Sequence, residues 1–381
     1  MNNERTYQVC KKLVLDTSYP SITFDSEGIC SAYHDFYSNI TPHWNPGPEG
    51  RRRLEQVVEI IIKEGKGKDF DCILGLSGGA DSSYMLHVLV NEFGLRPLVF
   101  HVDAGWNTEV SVNNINGLID KLNLDLFTEV INWDEMRDFQ LAMFKSGVPH
   151  IDIPQDMAFI GVLYKYASKH NIKWILNGGN ISTECVSPPL DYYYWGTDMV
   201  HVRDILRRFG TIPMPTYPFS SIFYHKIWLR YFRGIKVLKP LNYVPYNKAH
   251  AMSFLSSEYG FKPYPQKHFE SRFTRFAEGF WVPQRFGFDI RRVQFSSLIL
   301  TGQMSREEAL LQLEIPALDS DIVEKEYGYI AAKLGISRDD LASYFNLPKK
   351  SYRDYKNISL IMDIGERILY LLSGTRRGGA F

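Results

Sequence analysis

The sequence predicts an α/β protein: an open parallel sheet with helices on both faces, followed by a mostly α-helical C-terminal region. The apolar run DCILGL, residues 71–76, lacks the polar alternation of a half-exposed strand, which is typical of a parallel strand buried on both faces, and three further apolar stretches follow it. Helical periodicity lies between these runs, and such regular alternation favours right-handed crossovers within one sheet. The strands are predicted at residues 71–76, 96–105, 126–133 and 173–180.

The helices are predicted from apolar spacing and from end signals in the sequence. They fall within residues 50–69, 82–94, 112–123 and 158–171. In the C-terminal third, Ser305 with Glu308 and Ser337 with Asp340 have the spacing of capping boxes, which begin helices. The final RRGGAF is expected to fray.

Changes in composition divide the chain into three segments. Residues 1–48 are an N-terminal appendage, which ends where TPHWNPGPEG marks a break with its Pro and Gly residues. Residues 49–186 contain the alternating strands and helices and form the α/β domain. Residues 187–381 are at first aromatic-rich and punctuated by proline, then helical, and we assign them to binding of a substrate or partner.

Charge and cysteine content favour an ordinary cytoplasmic protein. Lys plus Arg and Asp plus Glu both count 43, so the net charge of zero favours neither nucleic acid nor a membrane as partner. The N-terminus lacks an apolar signal region, and no apolar run is long enough to span a bilayer. The 4 cysteines do not form a disulfide framework, which suits a reducing compartment.

The stretch SGGADSS, residues 77–83, follows the first predicted strand and opens a helix. Glycines at such a point allow backbone N–H groups to converge at the positive end of the helix dipole, which creates an anion site. The candidate ligands of a phosphate are Ser77, Gly78, Gly79, Ser82 and Ser83. Asp81 would repel a phosphate unless a cation lay between them, so it indicates a Mg²⁺ site. The alternative is a glycine turn in which Asp81 only caps the helix.

Two further strand ends face the same predicted crevice, because ligands of open parallel sheets bind at the carboxyl ends of the strands. Asp103 follows the second strand, where a ligand contact and a satisfied loop carboxylate are equally compatible with the sequence. Gly178 and Gly179 follow the fourth strand and favour close approach of a ligand.

SGGADS after a first strand resembles the PP-loop of the ATP pyrophosphatases, a superfamily that includes GMP, NAD and asparagine synthetases. The resemblance implies the adenine nucleotide α-hydrolase-like fold, with ATP and Mg²⁺ as cofactors. It also implies transfer of AMP to a substrate oxygen, which a nitrogen or sulfur nucleophile then displaces. HVDAGWN after the second strand would hold the adenosine half of ATP.

A longer resemblance covers most of the chain. The stretches LDTSYPSITFDSEGIC, HVDAGWN, ILNGGN and KHFESRFTRFAEGFWVPQRFGFDIRR are similar to the N-acetyl sugar amidotransferases of bacterial LPS and O-antigen biosynthesis. The resemblance implies conversion of an acetamido group on a nucleotide-activated sugar to an acetamidino group, with release of AMP and pyrophosphate.

The charged segment 267–292 is expected to supply further site residues. Lys267 and Glu270 are assigned to catalysis, and His268, Arg272 and Arg275 to binding of the substrate. A solvated helix face is the alternative for this segment.

Lys239 precedes a Pro-Leu step that resembles one after the sheet of related PP-loop enzymes. It is therefore assigned to stabilising the departing pyrophosphate. An ordinary surface lysine is an equally good interpretation.

The cysteines bear on the source of nitrogen and on a metal site. A glutaminase needs an activated cysteine, and neither Cys72 in a buried strand nor Cys185 has that context. We therefore expect ammonia from a separate glutaminase, resembling the glutaminase and cyclase pair of the histidine pathway. The related enzymes carry two C-x-x-C pairs, but only Cys10 and Cys30 remain here, too few for a zinc site.

Two other functions stay open. A tRNA-modifying PP-loop enzyme of the thiolation type would favour a basic face and reactive cysteines, against which the neutral charge balance counts. A non-catalytic nucleotide-binding scaffold for a glutaminase would not require Asp81 or the charged segment 267–292.

Overall fold

The computed structural model describes residues 6–373, apart from the side chains of residues 366 and 369–373. It contains one sheet of five parallel strands in the order β3-β2-β1-β4-β5. The strands are β1 Cys72–Gly75, β2 Pro97–Asp103, β3 Leu126–Val130, β4 Trp174–Leu176 and β5 Lys236–Leu238. The first four lie where the sequence predicts them. The three-residue edge strand β5, which comes from the segment after residue 186, was not predicted because it is too short to show a pattern.

The α-helices are α1 Ser31–Asp35, α2 Pro48–Gly65, α3 Ala80–His87, α4 Glu109–Leu122, α5 Trp133–Ser146, α6 Ile153–Lys169, α7 Ile181–Glu184, α8 Met199–Phe209, α9 Lys248–Tyr259, α10 Arg272–Phe276, α11 Val282–Phe286, α12 Arg291–Leu300, α13 Arg306–Glu314, α14 Ser320–Leu334, α15 Arg338–Phe345 and α16 Ser359–Ser373. Turns of π-helix span Phe36–Ile40, Val88–Glu92, Tyr224–Phe232 and Ala277–Trp281, and short 3₁₀ turns span Thr41–His43, Pro240–Asn242 and Tyr352–Asp354. The predicted fold class, with its mostly helical C-terminal region, is confirmed.

The ends of the helices follow from capping chemistry. Both predicted capping boxes form: Ser305 begins α13 and Ser337 begins α15. Helix α5 was not predicted, because its first residue, Trp133, was assigned to the third strand. Asn132 caps it by accepting hydrogen bonds from the backbone of Asp134 and Glu135.

The sheet has a hydrophobic core on each face, because successive side chains of a strand point to opposite faces. Leu74 and Leu176 belong to a core formed with α2, α3 and α4. Ile73, Phe100 and Ile175 belong to a larger core on the other face, formed with α5 and α6 and extending into the C-terminal helices. Burial on both faces explains why β1, β2 and β4 are largely apolar, whereas the edge strand β3 is half-exposed and contains Thr128 and Glu129.

The chain reverses its direction of winding between β1 and β4. From β1 it adds β2 and then β3 on one side, whereas β4 and β5 lie on the other side of β1. Neighbouring strands whose connections leave in opposite directions open a crevice at their carboxyl ends. SGGADSS follows β1 and NGGN follows β4, so the fold brings these two loops to one crevice.

The N-terminal segment packs against the C-terminal helices. Arg292 of α12 forms an ion pair of 3.0 Å with Asp16, and Arg306 of α13 donates hydrogen bonds to the carbonyls of Cys10 and Leu13. The N-terminal segment and helices α12 and α13 therefore stabilise each other.

Cys10 and Cys30 are buried side by side. The Cys10 sulfur accepts hydrogen bonds from the backbone N–H groups of Leu13 and Cys30, and hydrogen bonding from Cys30 lowers the pKa of Cys10 to about 5. Leu13, which stands where a C-x-x-C pair beginning at Cys10 would have its second cysteine, is fully buried and packs in the core.

None of the helices within residues 6–373 is both long and apolar enough to cross a bilayer. The tail RRGGAF lies outside the described residues.

Candidate functional site

The loop after β1 forms a cradle of backbone groups. Gly78 has φ of +80°, and a Cβ there would lie 2.8 Å from the carbonyl oxygen of Ser111, so only glycine fits. Gly79 is the N-cap of α3, and Ser77 accepts its backbone N–H at 3.2 Å. The hydroxyls of Ser77 and Ser82 lie 3.3 Å apart. These groups place hydroxyls and the N-terminus of α3 together, as an anion site requires.

A cavity of about 320 Å³ opens in front of this loop, and we call it the glycine cavity. Gly178 and Gly179 line it together with Ser77, Gly79 and Ser82. Close packing explains one of the two glycines after β4, because a Cβ on Gly178 would lie 3.1 Å from the backbone nitrogen of Ser82. From the sequence alone, Gly178 was assigned to close approach of a ligand and not to packing. Apolar side chains complete the wall, including Phe100, Phe159, Leu163 and Leu176.

Lys267 joins the two loops at the edge of the glycine cavity. Its ammonium group lies 3.1 Å from Asp81 at the start of α3 and 2.5 Å from Glu184 of α7, and its side chain is only 10% exposed. Burial alone would lower the pKa of Lys267, but the two carboxylates raise it above its ordinary value. Lys267 is therefore a permanently charged group at the loop of glycines.

The carboxylate of Asp81 is already bound. Besides Lys267, the hydroxyl of Tyr246 donates to it in a short hydrogen bond. Burial would raise the pKa of Asp81, but Lys267 and Lys248 lower it below its ordinary value. Asp81 therefore anchors Lys267 and also lines the glycine cavity, and its role as a Mg²⁺ ligand stays a prediction.

Glu270 is the carboxylate that faces the loop. Its Oε1 would lie 3.0 Å from a Cβ on Gly79, and Ser77 donates a hydrogen bond of 3.4 Å to it. An anion and a carboxylate so close to one another need a cation between them.

A second cavity, of about 410 Å³, adjoins the first, and we call it the carboxylate cavity. The two share a wall formed by Ser77, Phe159, Glu184, Lys267, His268 and Glu270. His101 of β2 and Asn107, which follows β2, line the carboxylate cavity and not the glycine cavity.

Acidic side chains and their partners line the carboxylate cavity. Asp152 accepts hydrogen bonds from Thr274 at 2.6 Å and from Gln155, and burial together with Asp156 raises its pKa to about 7. His150 lies 3.2 Å from Asp156, and this carboxylate raises the pKa of His150 against the effect of burial. Ser271 donates to Gln155 at 3.1 Å. Hydrogen bonds thus connect Asp152, through Gln155, to Ser271, which is the residue after Glu270.

His268 lies in the shared wall with a φ of +65°, a conformation that is uncommon for a residue other than glycine. Its ring is 3.1 Å from Glu278, which raises the pKa of His268 to about 9 against the effect of desolvation. The ring is therefore protonated at neutral pH and offers a positive charge to both cavities.

Three predicted site residues lie elsewhere. The hydroxyl of Ser83 is buried, and no partner for it exists among the described residues. Asp103 accepts hydrogen bonds from the backbone of Gly105 at 2.8 Å and from Asn107, so it is the satisfied loop carboxylate. Neither Ser83 nor Asp103 lines the glycine cavity or the carboxylate cavity. The side chain of Lys239 lies next to Gly179, and burial lowers the pKa of the Lys239 ammonium group.

Arg272 and Arg275 bind a buried carboxylate instead of facing either cavity. Both donate to Glu326 of α14, whose side chain is 3% exposed, and Arg272 also stacks on the ring of Tyr329 at 3.4 Å. Their charges already have a partner, so the structure assigns them to packing between α10 and α14. Sequence could not show this, because Glu326 lies more than 50 residues away.

Replacing Glu326 with Gln should lower the free energy of unfolding by about 3 kcal/mol, because two partly buried arginines lose their counter-charge. Urea unfolding measures the effect. The matched control is Glu324→Gln on the same helix, where a carboxylate 72% exposed pairs with Arg338. We expect the control to change stability by less than about 1 kcal/mol. Equal stability of the two variants would contradict the packing role.

Several site residues were not predicted. Glu184, Tyr246 and Lys248 surround Lys267 and Asp81, and His150 and Asp152 line the carboxylate cavity. The stretch PHIDIPQD, residues 149–156, could have indicated His150 and Asp152 as site residues, because polar residues there adjoin the start of a strongly apolar helix.

Comparisons with known proteins give one family similarity. Residues 270–369 match a family model described as the C-terminal domain of WbpG-like LPS biosynthesis proteins. An uncharacterized protein of Methanocaldococcus jannaschii, MJ1599, is 30% identical over 99 residues, which are 26% of this chain and 34% of that protein. This chain thus matches about a third of the length of that relative.

Two solved structures are also similar to parts of the chain. One is an NH3-dependent NAD synthetase from Campylobacter jejuni, 14% identical, with a TM-score of 0.29 over 79% of this chain and 98% of that one. The other is an NMN synthetase from Francisella tularensis, 14% identical, with a TM-score of 0.31 over 75% and 96%. These TM-scores are too low for either structure to indicate what this chain does.

Proposed function

We propose that the protein is an ATP-dependent amidotransferase that converts an acetamido group of a nucleotide-activated sugar to an acetamidino group in O-antigen or related polysaccharide biosynthesis. The observation that carries the proposal is the meeting of two cavities at Lys267, one with a phosphate-type loop and the other lined by carboxylates. The match of residues 270–369 to WbpG-like LPS biosynthesis proteins supports the pathway.

The glycine cavity suits ATP. The phosphates would lie at the N-terminus of α3, where Ser77 and Ser82 supply hydroxyls, and Lys267 would neutralise their charge. The adenine ring would lie against apolar side chains such as Phe159 and Leu163.

Glu270 suits Mg²⁺ better than Asp81 does, because Lys267 and Tyr246 already bind Asp81. No group of three metal-binding side chains occurs within the described part of the chain. Mg²⁺ would therefore take most of its ligands from phosphate and water oxygens, as it commonly does. The ion would neutralise charge that develops on the phosphates.

The acetamido group would enter from the carboxylate cavity and meet ATP at the shared wall. An amide is a poor electrophile, so its oxygen must first become part of a leaving group. The amide oxygen attacks the α-phosphorus, and pyrophosphate leaves with the bridging oxygen. Ammonia then adds to the amide carbon, and AMP departs carrying the former amide oxygen. Lys267 would stabilise the charge that accumulates on the phosphates in the first step, because it lines both cavities.

Addition of ammonia releases a proton, and Asp152 is placed to accept it. Its carboxyl lines the carboxylate cavity, and a pKa of about 7 lets it exchange protons near neutral pH.

Ammonia would come from a separate glutaminase. All four cysteines, Cys10, Cys30, Cys72 and Cys185, are buried, and burial raises the pKa of the Cys185 thiol to about 12. Burial separates all four sulfurs from a glutamine substrate, including Cys10 with its lowered pKa, which supports a partner subunit.

Nucleotide and sugar products test the proposed function. Purified protein is incubated with Mg-ATP, an ammonium salt and a panel of UDP- and CMP-linked acetamido sugars, and products are identified by mass spectrometry. We expect equal amounts of AMP and of a sugar in which NH replaces O. Absence of AMP with every sugar, with AMP appearing only when tRNA is added, would instead support the tRNA-modifying function.

Replacing Glu270 with Gln should raise the Mg²⁺ concentration for half-maximal AMP formation by at least about tenfold, because the ion loses a charged ligand. Titration of Mg²⁺ at saturating ATP measures the shift. The same change at the exposed Glu258 is the control. An unchanged Mg²⁺ requirement in Glu270→Gln would remove Glu270 from the metal site.

A further inference from the structure

A long segment of the chain has no acidic residue. Residues 205–257 contain eight Lys or Arg and neither Asp nor Glu, although the whole chain is neutral. Three of these cations, Arg207, Arg208 and Lys236, pair with carboxylates outside the segment, so the charge that a binding partner would experience comes from the exposed cations around residues 226–233.

An exposed aromatic face lies within this segment, on the helix Tyr224–Phe232. The face consists of Tyr224, Ile227, Trp228, Tyr231 and Phe232, which recur every three or four residues. Trp228 is 51% exposed, Tyr231 72% and Phe232 69%, and the rings of Trp228 and Phe232 stack at 4.7 Å. So large an apolar face on one helix marks a binding surface.

The rest of the molecule holds this helix firmly by its other side. His225 and Leu229 are buried, and the His225 ring stacks on Tyr164 of α6 at 5.1 Å. The aromatic face is therefore turned outward by the fold itself and not by fraying of the helix.

Basic side chains flank the aromatic face. Lys226, Arg230 and Arg233 are all exposed, and none of them belongs to an ion pair among the described residues. Elsewhere on the surface, arginines such as Arg51 pair with neighbouring carboxylates. Three positive charges beside an apolar face favour a partner that is anionic and apolar together.

We propose that this aromatic face docks the protein onto the anionic surface of a lipid bilayer. The rings would lie at the level of the headgroups, and the basic side chains would contact lipid phosphates. This proposal is independent of the proposed enzymatic function. It departs from the expectation of no membrane partner, which rested on the average charge.

Charge and composition favour a bilayer over other partners. A second copy would bring two basic faces together, and like charges repel. Single-stranded nucleic acid binds through stacked rings and positive charges, but the aliphatic Ile227 at the centre of the face contributes nothing to stacking.

Sedimentation with lipid vesicles tests the proposal on the full chain. We expect binding to vesicles of phosphatidylcholine and phosphatidylglycerol in equal parts, little binding to phosphatidylcholine alone, and weakening by added salt. Replacing Arg230 and Arg233 with Gln should weaken binding about fivefold per charge. Replacing Trp228 and Phe232 with Ala should weaken it at least about tenfold.

Matched controls change the same properties elsewhere. Arg52→Gln with Arg53→Gln removes two exposed charges from α2, and Leu311→Ala removes an apolar side chain that is 63% exposed. We expect both controls to bind vesicles as the original protein does, and circular dichroism verifies that every variant is folded.

Absence of binding to the anionic vesicles would overturn the proposal, as would binding that the Arg230, Arg233, Trp228 and Phe232 substitutions leave unchanged. If those substitutions instead abolish binding to RNA or to a glutaminase, while vesicles stay unbound, the aromatic face is an interface for that macromolecule and the proposal is wrong.

Discussion

Replacing Lys267 with Met is expected to lower sugar-dependent AMP formation by at least about a hundredfold, the scale measured when one charge-stabilising group is removed. Lys267 is nine-tenths buried between Asp81 and Glu184, where the two cavities meet. No other cation within the described residues forms ion pairs with both Asp81 and Glu184. Exchange of labelled pyrophosphate into ATP, measured with the acetamido sugar present, follows the adenylylation step directly.

The matched control is Lys262→Met, an exposed lysine five positions earlier, which should retain the original rate. Lys267→Met leaves two carboxylates without their counter-charge, so its thermal unfolding must be measured alongside. Lys267→Arg keeps the charge and separates loss of function from loss of the fold. A folded Lys267→Met protein with the original exchange rate would contradict our assignment.

Replacing Asp152 with Asn is expected to lower amidine formation by at least about a hundredfold, because a neutral amide accepts no proton. Sugar-dependent exchange of pyrophosphate into ATP should persist, since adenylylation precedes the arrival of ammonia. In the original protein, amidine formation at a fixed concentration of free NH3 should rise as the pH rises through about 7, where Asp152 loses its proton. The variant should lack this rise.

Asp156→Asn is an internal check on the same account. The charge of Asp156 helps to raise the pKa of Asp152, so its removal should shift the rise in amidine formation to lower pH. Loss of exchange and amidine formation together in Asp152→Asn would make Asp152 a substrate-binding residue. If Asp152→Asn loses neither exchange nor amidine formation, Asp152 does not belong to the site. The proposed function would then still rest on AMP release.

Much of the fold could be predicted because local patterns determine it. Apolar runs identified the strands β1, β2 and β4, which are buried on both faces, and capping boxes identified the starts of α13 and α15. The pattern failed where the signal was short or ambiguous. Edge strand β5 has three residues and exposes Lys236 and Val237, and α5 begins with a tryptophan that also suits a strand.

The candidate site was predictable only near its loops. The stretch SGGADSS predicts the anion-binding loop, because the local backbone conformation at position 78 allows only glycine. Pairings over long sequence separations leave no such signal: Asp81 meets Lys267, and Arg272 meets Glu326. The sequence therefore indicated that these charged residues have specific roles. It could not show that Lys267 lines a cavity whereas Arg272 packs between helices.

The most direct test of the central claim follows the oxygen of the acetamido group. The nucleotide sugar is prepared with the heavy isotope of oxygen in that carbonyl and is converted with Mg-ATP and ammonia, and the released AMP is examined by mass spectrometry. If the amide oxygen attacks the α-phosphorus, AMP carries the label and pyrophosphate carries none. Label in inorganic phosphate or pyrophosphate, or unlabelled AMP alongside amidine product, would contradict adenylylation of the sugar.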